Sequence, residues 1–227
     1  MARPSRTALR QPGLIVCEGA TDEAFLRALA ARRGLPELAI RHPGDVDPSG
    51  RGGIDKLGWL LEGSKTWLGF EQVTDILVVA DNDADPGANF DRVRRQLADA
   101  GFPVPDAPLA VADNAVERLP RRLRVLMLPS AGRAGSLETL CLGPARAAMP
   151  AMAACVDALA ACARAADPEH RPRNDLFSLR VLLTAAHPSD PRLGLGQVWR
   201  EAPGLIPLDH PDFDPIAAVL ADFAARR

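Results

Sequence analysis

The sequence predicts an α/β fold, with a mainly parallel, Rossmann-like sheet, helices on both of its faces, and a C-terminal helical extension. Three short apolar runs predict the strands, and they lie at residues 13–17, 76–80 and 123–128. Strands of a parallel sheet are covered by helices on both faces, so they are apolar throughout instead of alternating. Each run is followed by turn residues and then by a helical pattern, as in strand–helix units. We therefore expect the carboxyl ends of the three strands to meet at one edge of the sheet.

Two folding units are expected in the 227 residues, which suffice to bury a substantial core. Residues 1–143 carry the strand–helix alternation, and residues 144–227 form a helical extension packed on that domain. The extension is expected to have helices at 145–166, 176–186 and 215–227, with a loop over 188–211. No apolar run approaches the ~20 residues that span a bilayer, and no signal peptide is evident. We expect a cytoplasmic protein that does not associate with membranes.

Composition and charge exclude several classes of site. The formal charge is −2, so the chain as a whole is not a basic nucleic-acid binder. The cysteines lack C-x-x-C spacing, and scattered histidines such as His42 read as loop or surface residues, so neither a zinc site nor a disulfide framework is expected. Cys155 and Cys162 lie one heptad apart in an alanine-rich helical pattern and are expected on its buried side.

The central apolar run ends in an acidic turn. Asp81 and Asp83 follow the strand at alternate positions, and Pro86 with Gly87 then forces the turn. If the backbone stays extended for one more step, both carboxylates point the same way at the carboxyl end of a buried strand. Ligands bind at that edge in open α/β sheets. Because Asp, Pro and Gly are also ordinary turn formers, a solvated loop is the alternative interpretation.

Acidic residues also follow the first and third runs. Glu18 comes directly after the first strand, where a carboxylate gains nothing from burial. Thr21 is the expected N-cap of the next helix, and Asp22 can point back toward the strand edge, although the helix dipole alone would favour an acid there. After the third strand, Gly135–Ser136 opens a helix whose first turn carries Glu138.

These motifs, taken in order, resemble the Toprim domain. The resemblance is closest to the stand-alone Toprim-like family of bacterial proteins (DUF3226-type) and the related overcoming-lysogenization-defect (OLD) nucleases, and it covers residues 13–142. It is carried by Glu18–Gly19–x–x–Asp22, Gly52–Gly53–Ile54–Asp55–Lys56–Leu57, Asp81–x–Asp83 and Gly135–Ser136–Leu137–Glu138.

The resemblance implies a phosphodiester hydrolase, a DNA or RNA nuclease of bacterial defence, that depends on one or two Mg²⁺ or Mn²⁺ ions. The implied metal ligands are five carboxylates, of which the first two are also the implied catalytic residues: Glu18, Asp22, Asp81, Asp83 and Glu138. Converging carboxylates of this kind repel one another unless hard cations neutralise them. Related enzymes carry a lysine late in the domain, where this chain has only arginines, and we expect Arg173 and Arg180 to bind phosphate.

Nucleic acid is the expected partner, and a partner ATPase and a homodimer are left open. A non-catalytic Toprim-like module that binds metal, nucleotide or a protein partner is the alternative function. The chain contains no tyrosine, which excludes the covalent tyrosyl–DNA chemistry of topoisomerases that use the same domain.

Overall fold

The structure is a computed structural model, and it describes residues 8–47, 52–113, 121–167, 169, 174–187 and 189–226. The strands are β1 (Gly13–Cys17), β2 (Ile40–Arg41), β3 (Asp75–Asp81), β4 (Ala112–Asp113) and β5 (Arg122–Leu128). The α-helices are α1 (Ala20–Arg32), α2 (Leu57–Ser64), α3 (Pro86–Asp99), α4 (Leu137–Ala148), α5 (Pro150–Ala166), α6 (Asn174–Ala186), α7 (Leu195–Glu201) and α8 (Asp214–Ala225).

The five strands form one sheet in the order β2-β1-β3-β5-β4. Strands β2, β1, β3 and β5 are parallel, and the short edge strand β4 is antiparallel to β5. Val78 in the centre of β3 pairs with Val16 on one side and Val125 on the other. The three apolar runs are therefore neighbouring parallel strands, as the sequence predicts, in a Rossmann-like α/β fold.

Helices cover both faces of the sheet, and strand residues alternate between two hydrophobic clusters. Ile15, Leu77 and Leu126 contribute to the cluster shared with α1 and α4–α8. The neighbouring side chains, such as Val16 and Val78, contribute to the cluster shared with α2 and α3. This two-sided burial is the physical reason that the strands are apolar at every position.

The C-terminal helices pack into the same core as the sheet. Helix α4 runs across the expected boundary at residue 143, and buried residues of α5–α8 join the cluster that contains β1, β3 and β5. The expected loop over 188–211 is wrong in part, because it contains α7. Leu195 and Val198 are buried there, and Trp199 packs against Phe25 of α1 with ring centroids 5.4 Å apart. Contact with α1 stabilises a short helix that is flanked by Gly and Pro.

Cys155 and Cys162 are exposed, so their expected burial is wrong. The buried stripe of α5 consists of Ala153, Val156 and Ala160, and Cys155 lies off that stripe. None of the helices in the described part of the chain is long and apolar enough to cross a membrane.

Candidate metal centre

The carboxyl ends of β1, β3 and β5 lie side by side, and the first two are tied together through acidic side chains. The Asp81 backbone N–H donates to Glu18 Oε1 at 2.8 Å. In turn, Asp81 Oδ1 accepts a hydrogen bond from the Leu137 backbone N–H at 3.1 Å, at the start of α4. Glu18 and Asp81 therefore connect the ends of β1 and β3 to the first turn of the helix that follows β5.

Asp22 turns back toward this edge from the first turn of α1. The helix begins at Ala20 with Gly19 as its N-cap, so the expected cap at Thr21 is wrong. Asp22 occupies the third helical position, and its Oδ2 accepts from the Gly19 backbone N–H at 2.9 Å. This bond is the return half of a capping box, and it needs no side chain on the N-cap residue.

Glu138 reaches the same edge from the first turn of α4. Its Oε2 accepts from the Ser136 hydroxyl at 2.8 Å, and Ser136 is the N-cap of that helix. The charge of Glu138 raises the pKa values of both Asp22 and Asp81, so the three carboxylates lie within each other's field.

The electrostatics of the group are unfavourable without a cation. Burial, followed by the charges of Asp22 and Asp83, raises the pKa of Glu18 to about 7, although the bond from the Asp81 N–H opposes the rise. Burial, followed by the charge of Glu138, raises the pKa of Asp22 to about 6. Burial and then the charges of the other four carboxylates raise the pKa of Asp81 to about 9. A hard cation at this edge would remove that repulsion.

The Asp81–Asp83 loop differs from the extended step that the sequence suggests. Asp83 adopts a left-handed conformation with a φ of 48°, and its side chain is exposed. Its carbonyl accepts from the Gly135 backbone N–H at 2.6 Å, which joins the loop to the segment before α4. The turn thus begins at Asp83 itself, yet its charge still raises the pKa of Glu18 and of Asp81.

Two asparagines that the sequence did not single out hold this loop. Asn82 is fully buried, and its Nδ2 donates to the carbonyls of Ser130 and Arg133, both at 2.7 Å. Asn89 of α3 donates through its Nδ2 to the Asn82 carbonyl at 2.9 Å and to Asp83 Oδ2 at 3.3 Å. The amides fix the acidic loop against the β5–α4 connection on one side and against α3 on the other.

The Gly52–Gly53 segment packs directly on the backbone of Glu18. The Gly53 N–H donates to the Glu18 carbonyl at 2.9 Å. A Cβ atom at position 52 would lie 2.2 Å from that carbonyl oxygen, which is closer than real Cβ contacts allow. A glycine is therefore required where this loop approaches the strand end.

We expect Gly52→Ala to displace the loop from Glu18 and to lower the free energy of unfolding by ~1–3 kcal/mol, as in overpacked sites. The matched control is Gly63→Ala within α2, where a Cβ would meet nothing within 4 Å. That change should be neutral or stabilising, since alanine favours helices over glycine. Urea denaturation of both variants measures the difference, and equal stabilities would contradict the close approach.

A cleft of about 530 Å³ opens beside the carboxylates. Asp81, Asp83 and Glu138 line it, and so do Asp175 and Leu176 at the start of α6. The helical extension thus forms part of the cleft. Of the two arginines expected to bind phosphate, Arg173 lies outside the described residues, and Arg180 is exposed on α6 and is not among the residues that line the cleft.

A second group of residues that could hold a metal ion lies between α1 and the 3₁₀ turn Pro43–Asp45 that follows β2. One ligand atom from each of Glu23, His42 and Asp45 lies within 4.8 Å of the others. His42 Nε2 is 3.3 Å from Glu23 Oε2 and 3.6 Å from Asp45 Oδ1. His42 lies in the loop after β2, one of the two places expected for it, and its side chain is buried there. No pattern in the sequence indicates this group, because Glu23 belongs to a different element from the other two residues.

The hydrogen bonds of His42 favour a proton over a metal at this second group. Its Nδ1 accepts from the Gly44 backbone N–H at 3.1 Å, so the neutral ring carries its proton on Nε2. That nitrogen faces Glu23 and Asp45, and a protonated nitrogen cannot bind a metal ion. Glu23 is also paired with Arg27 at 2.7 Å. A metal would require the imidazole to rearrange, whereas a network of hydrogen bonds and ion pairs needs no change.

The carboxylates at the strand edge are more widely spaced than this second group. No three of them meet the 4.8 Å spacing that Glu23, His42 and Asp45 meet among the described residues. Two ions roughly 4 Å apart need ligands that are spread over a correspondingly wider area. The strand edge offers oxygen ligands only, which is the ligand type that Mg²⁺ and Mn²⁺ prefer.

Comparison with known proteins gives a family and no activity. One family model, described as a protein of unknown function (DUF3226), matches residues 12–177. No curated protein matches the chain, and no solved structure does. The matched residues include β1, β3, β5 and all five carboxylates of the candidate centre. Because the match covers more than half of the sequence, the chain belongs to the DUF3226 family.

Proposed function

We propose that this protein is a divalent-metal-dependent phosphodiester hydrolase of the Toprim type, acting on DNA or RNA in bacterial defence. The proposal is supported above all by one observation. Carboxylates from three strand–helix junctions lie close enough at one sheet edge that the charges of the other four raise the pKa of Asp81. Such an arrangement costs stability in the absence of a cation.

The donor set suits Mg²⁺ or Mn²⁺. These ions prefer oxygen ligands, and every side chain that would hold them here is a carboxylate: Glu18, Asp22, Asp81, Asp83 and Glu138. When bound, such ions polarise a phosphoryl oxygen and activate a water molecule. The loop contacts of Asn82 and Asn89 would keep the ligands in place before the ions arrive.

The side chains at this edge would have different roles in binding the ions and in proton transfer. Asp81 accepts a hydrogen bond from the Leu137 N–H, which would hold this ligand in place. In the metal-free protein the pKa values of Glu18 and Asp22 are about 7 and about 6, and a bound cation would lower both, so the two side chains would act as deprotonated ligands. The resemblance to Toprim enzymes implies that Glu18 would also take part in the proton transfer. The cleft wall supplied by Leu176 would limit access of water to one side.

Glu138→Gln tests this function. Glu138 comes from a third strand–helix turn, and a second ion needs ligands that the first ion does not use. We expect the variant to keep its fold and one bound ion but to lose cleavage on the order of 10³-fold, which corresponds to several kcal/mol of transition-state stabilisation. Cleavage of single-stranded DNA, plasmid and RNA in Mg²⁺ gives the rate, and calorimetric titration with Mn²⁺ gives the number of ions.

The matched control is Glu62→Gln, an exposed glutamate on α2. Undiminished cleavage by Glu138→Gln would contradict the two-ion hydrolase. If the parent protein binds Mn²⁺ but cleaves none of the substrates, the non-catalytic module that binds metal, nucleotide or a protein partner becomes the better proposal. The acidic wall that Asp175 adds to the cleft favours that alternative, because it repels phosphate. A partner ATPase added to the assay tests whether cleavage needs one.

A further inference from the structure

We propose that Arg92 binds the phosphate of the substrate beside the metal centre, and that Asp55 is the positioning residue that aims it. This inference rests on the proposed function, since it assigns the substrate-binding cation of that same site. Arg92 would take the role that the sequence assigns to Arg173 and Arg180.

Contacts along the chain place Arg92 at the acidic edge. It lies on α3, one turn after Asn89, which holds the Asp83 carboxylate. Its Nη2 forms an ion pair with Asp55 Oδ2. Asp55 belongs to the 3₁₀ turn Ile54–Lys56, which directly follows Gly53, and the Gly53 N–H bonds the Glu18 carbonyl at 2.9 Å.

Gln96 fixes α3 to that turn, so the position of Arg92 is determined by the fold. The Gln96 Nε2 donates to the Ile54 carbonyl at 2.8 Å, and its Oε1 accepts from the Gly58 N–H at 3.0 Å. Gln96 lies four residues after Arg92 on the same face of the helix. Gln96 thus joins the 3₁₀ turn to α3, and Gly53 joins the same turn to Glu18. Together these contacts keep the Arg92–Asp55 pair beside Glu18.

The charge of Arg92 complements the centre. Its guanidinium lowers the pKa of Glu18, whereas the neighbouring carboxylates raise it. A guanidinium has five N–H donors in a planar fork that matches a phosphate, and the bond from Arg92 Nη2 to Asp55 uses one nitrogen. Five carboxylates repel an approaching phosphodiester unless bound metal neutralises all of their charge. A guanidinium beside them would reduce the repulsion that remains.

The pair contributes little to the fold. The Arg92 side chain is 39% exposed and that of Asp55 is 68% exposed. Exposed ion pairs of this kind add almost nothing to stability. Replacing Arg92 should therefore leave a folded protein whose substrate binding can be measured.

Arg92→Ala is the test, with Arg95→Ala as its matched control, because Arg95 is an exposed arginine on the same helix. We expect Arg92→Ala to weaken binding of a labelled single-stranded DNA oligonucleotide in Ca²⁺ by about 10- to 100-fold, as for a lost hydrogen bond to a charged group. Cleavage in Mn²⁺ should show a similar rise in KM. Arg92→Lys should be intermediate, since lysine keeps the charge and loses the fork. Calorimetric Mn²⁺ binding should be the same in all variants.

The charge swap Arg92→Asp/Asp55→Arg separates recognition from structure. It restores an ion pair, so a merely structural role predicts recovery, whereas phosphate binding predicts none. Arg92→Ala binding within twofold of the Arg95→Ala control would overturn the inference, and so would recovery by the swap. A parent that binds the oligonucleotide in Ca²⁺ with Arg92-dependent affinity, but does not cleave it in Mn²⁺, would contradict the hydrolase proposal and leave the role of Arg92 intact. A parent that does not bind the oligonucleotide overturns the assignment of Arg92 as well.

Discussion

Asp81→Asn should abolish Mn²⁺ binding and Mg²⁺-dependent cleavage while making the metal-free protein more stable. Asp81 is the carboxylate on which burial and the charges of all four neighbours converge, and its pKa is raised to about 9. Asparagine keeps an oxygen that can accept the Leu137 N–H and is neutral at every pH, so folding no longer requires a carboxyl to be protonated there. The change therefore stabilises the empty site and deletes the central metal ligand.

The variant is informative because it should raise the stability of the metal-free protein and lower both metal binding and cleavage. Loss of a ligand from a hard-cation site should reduce cleavage on the order of 10³-fold, equivalent to several kcal/mol of transition-state charge stabilisation. Thermal denaturation in chelator and in Mn²⁺ measures the two stabilities, and calorimetry measures the binding. Asp106→Asn is the matched control, because the Asp106 side chain is fully exposed. A variant that binds Mn²⁺ as the parent does would place the metal elsewhere, and the group of Glu23, His42 and Asp45 would then be examined first.

The sheet could be predicted from sequence because its strands are buried on both faces. Residues such as Ile15, Leu77 and Val125 are fully buried, so each strand is a short uninterrupted apolar run with a clear start and end. Helix α7 could not be predicted in the same way. Its seven residues are held by contact with α1, and their local sequence contains Gly and is followed by Pro.

The buried face of the alanine-rich helix α5 could not be predicted from the sequence either. Alanine and cysteine occur on its buried side and on its exposed side alike, so the sequence carries no contrast between them. The buried stripe is decided by where α4 and α6 lie, and that arrangement is set by the tertiary fold.

In the candidate site, position relative to a strand end was the informative signal. A carboxylate directly after a buried strand, as in Glu18 and Asp81, points to the sheet edge whatever the loops do. The roles of Asn82 and Asn89 could not be deduced, because they depend on carbonyls that belong to another loop or to the turn itself. Arg92 could not be distinguished in the sequence from the other arginines of its helix. Its pairing with Asp55 joins two separate segments, so it depends on the tertiary fold.

The stability of the metal-free protein should fall as the pH rises from about 4 to about 9. The carboxyls of Asp22, Glu18 and Asp81 have ordinary values of 3.8, 4.5 and 3.8, and their folded pKa values are about 6, 7 and 9. The folded state therefore binds more protons than the unfolded state across this window. Their contribution to stability is complete below the unfolded values and is lost as the pH rises through the folded values.

Surface carboxyls that are paired with arginine change the stability in the opposite direction, and they do so at lower pH. Hydrogen bonds from arginine hold the pKa values of Asp209 and Asp222 below the ordinary range, so their contribution is lost only when the pH falls below that range. The two effects act in separate windows. Between pH 4 and pH 9 the buried carboxylates dominate, and we expect a loss on the order of several kcal/mol.

Divalent metal should reverse this loss. Ions bind the deprotonated carboxylates and bind the folded state alone, so the rise in melting temperature caused by Mn²⁺ should grow with pH. Urea denaturation at a series of pH values, in chelator and in Mn²⁺, measures both slopes, and Asp81→Asn should flatten each of them. A metal-free stability that is constant or rises over this range, with a Mn²⁺ effect that does not depend on pH, would mean that these carboxylates are not the metal centre.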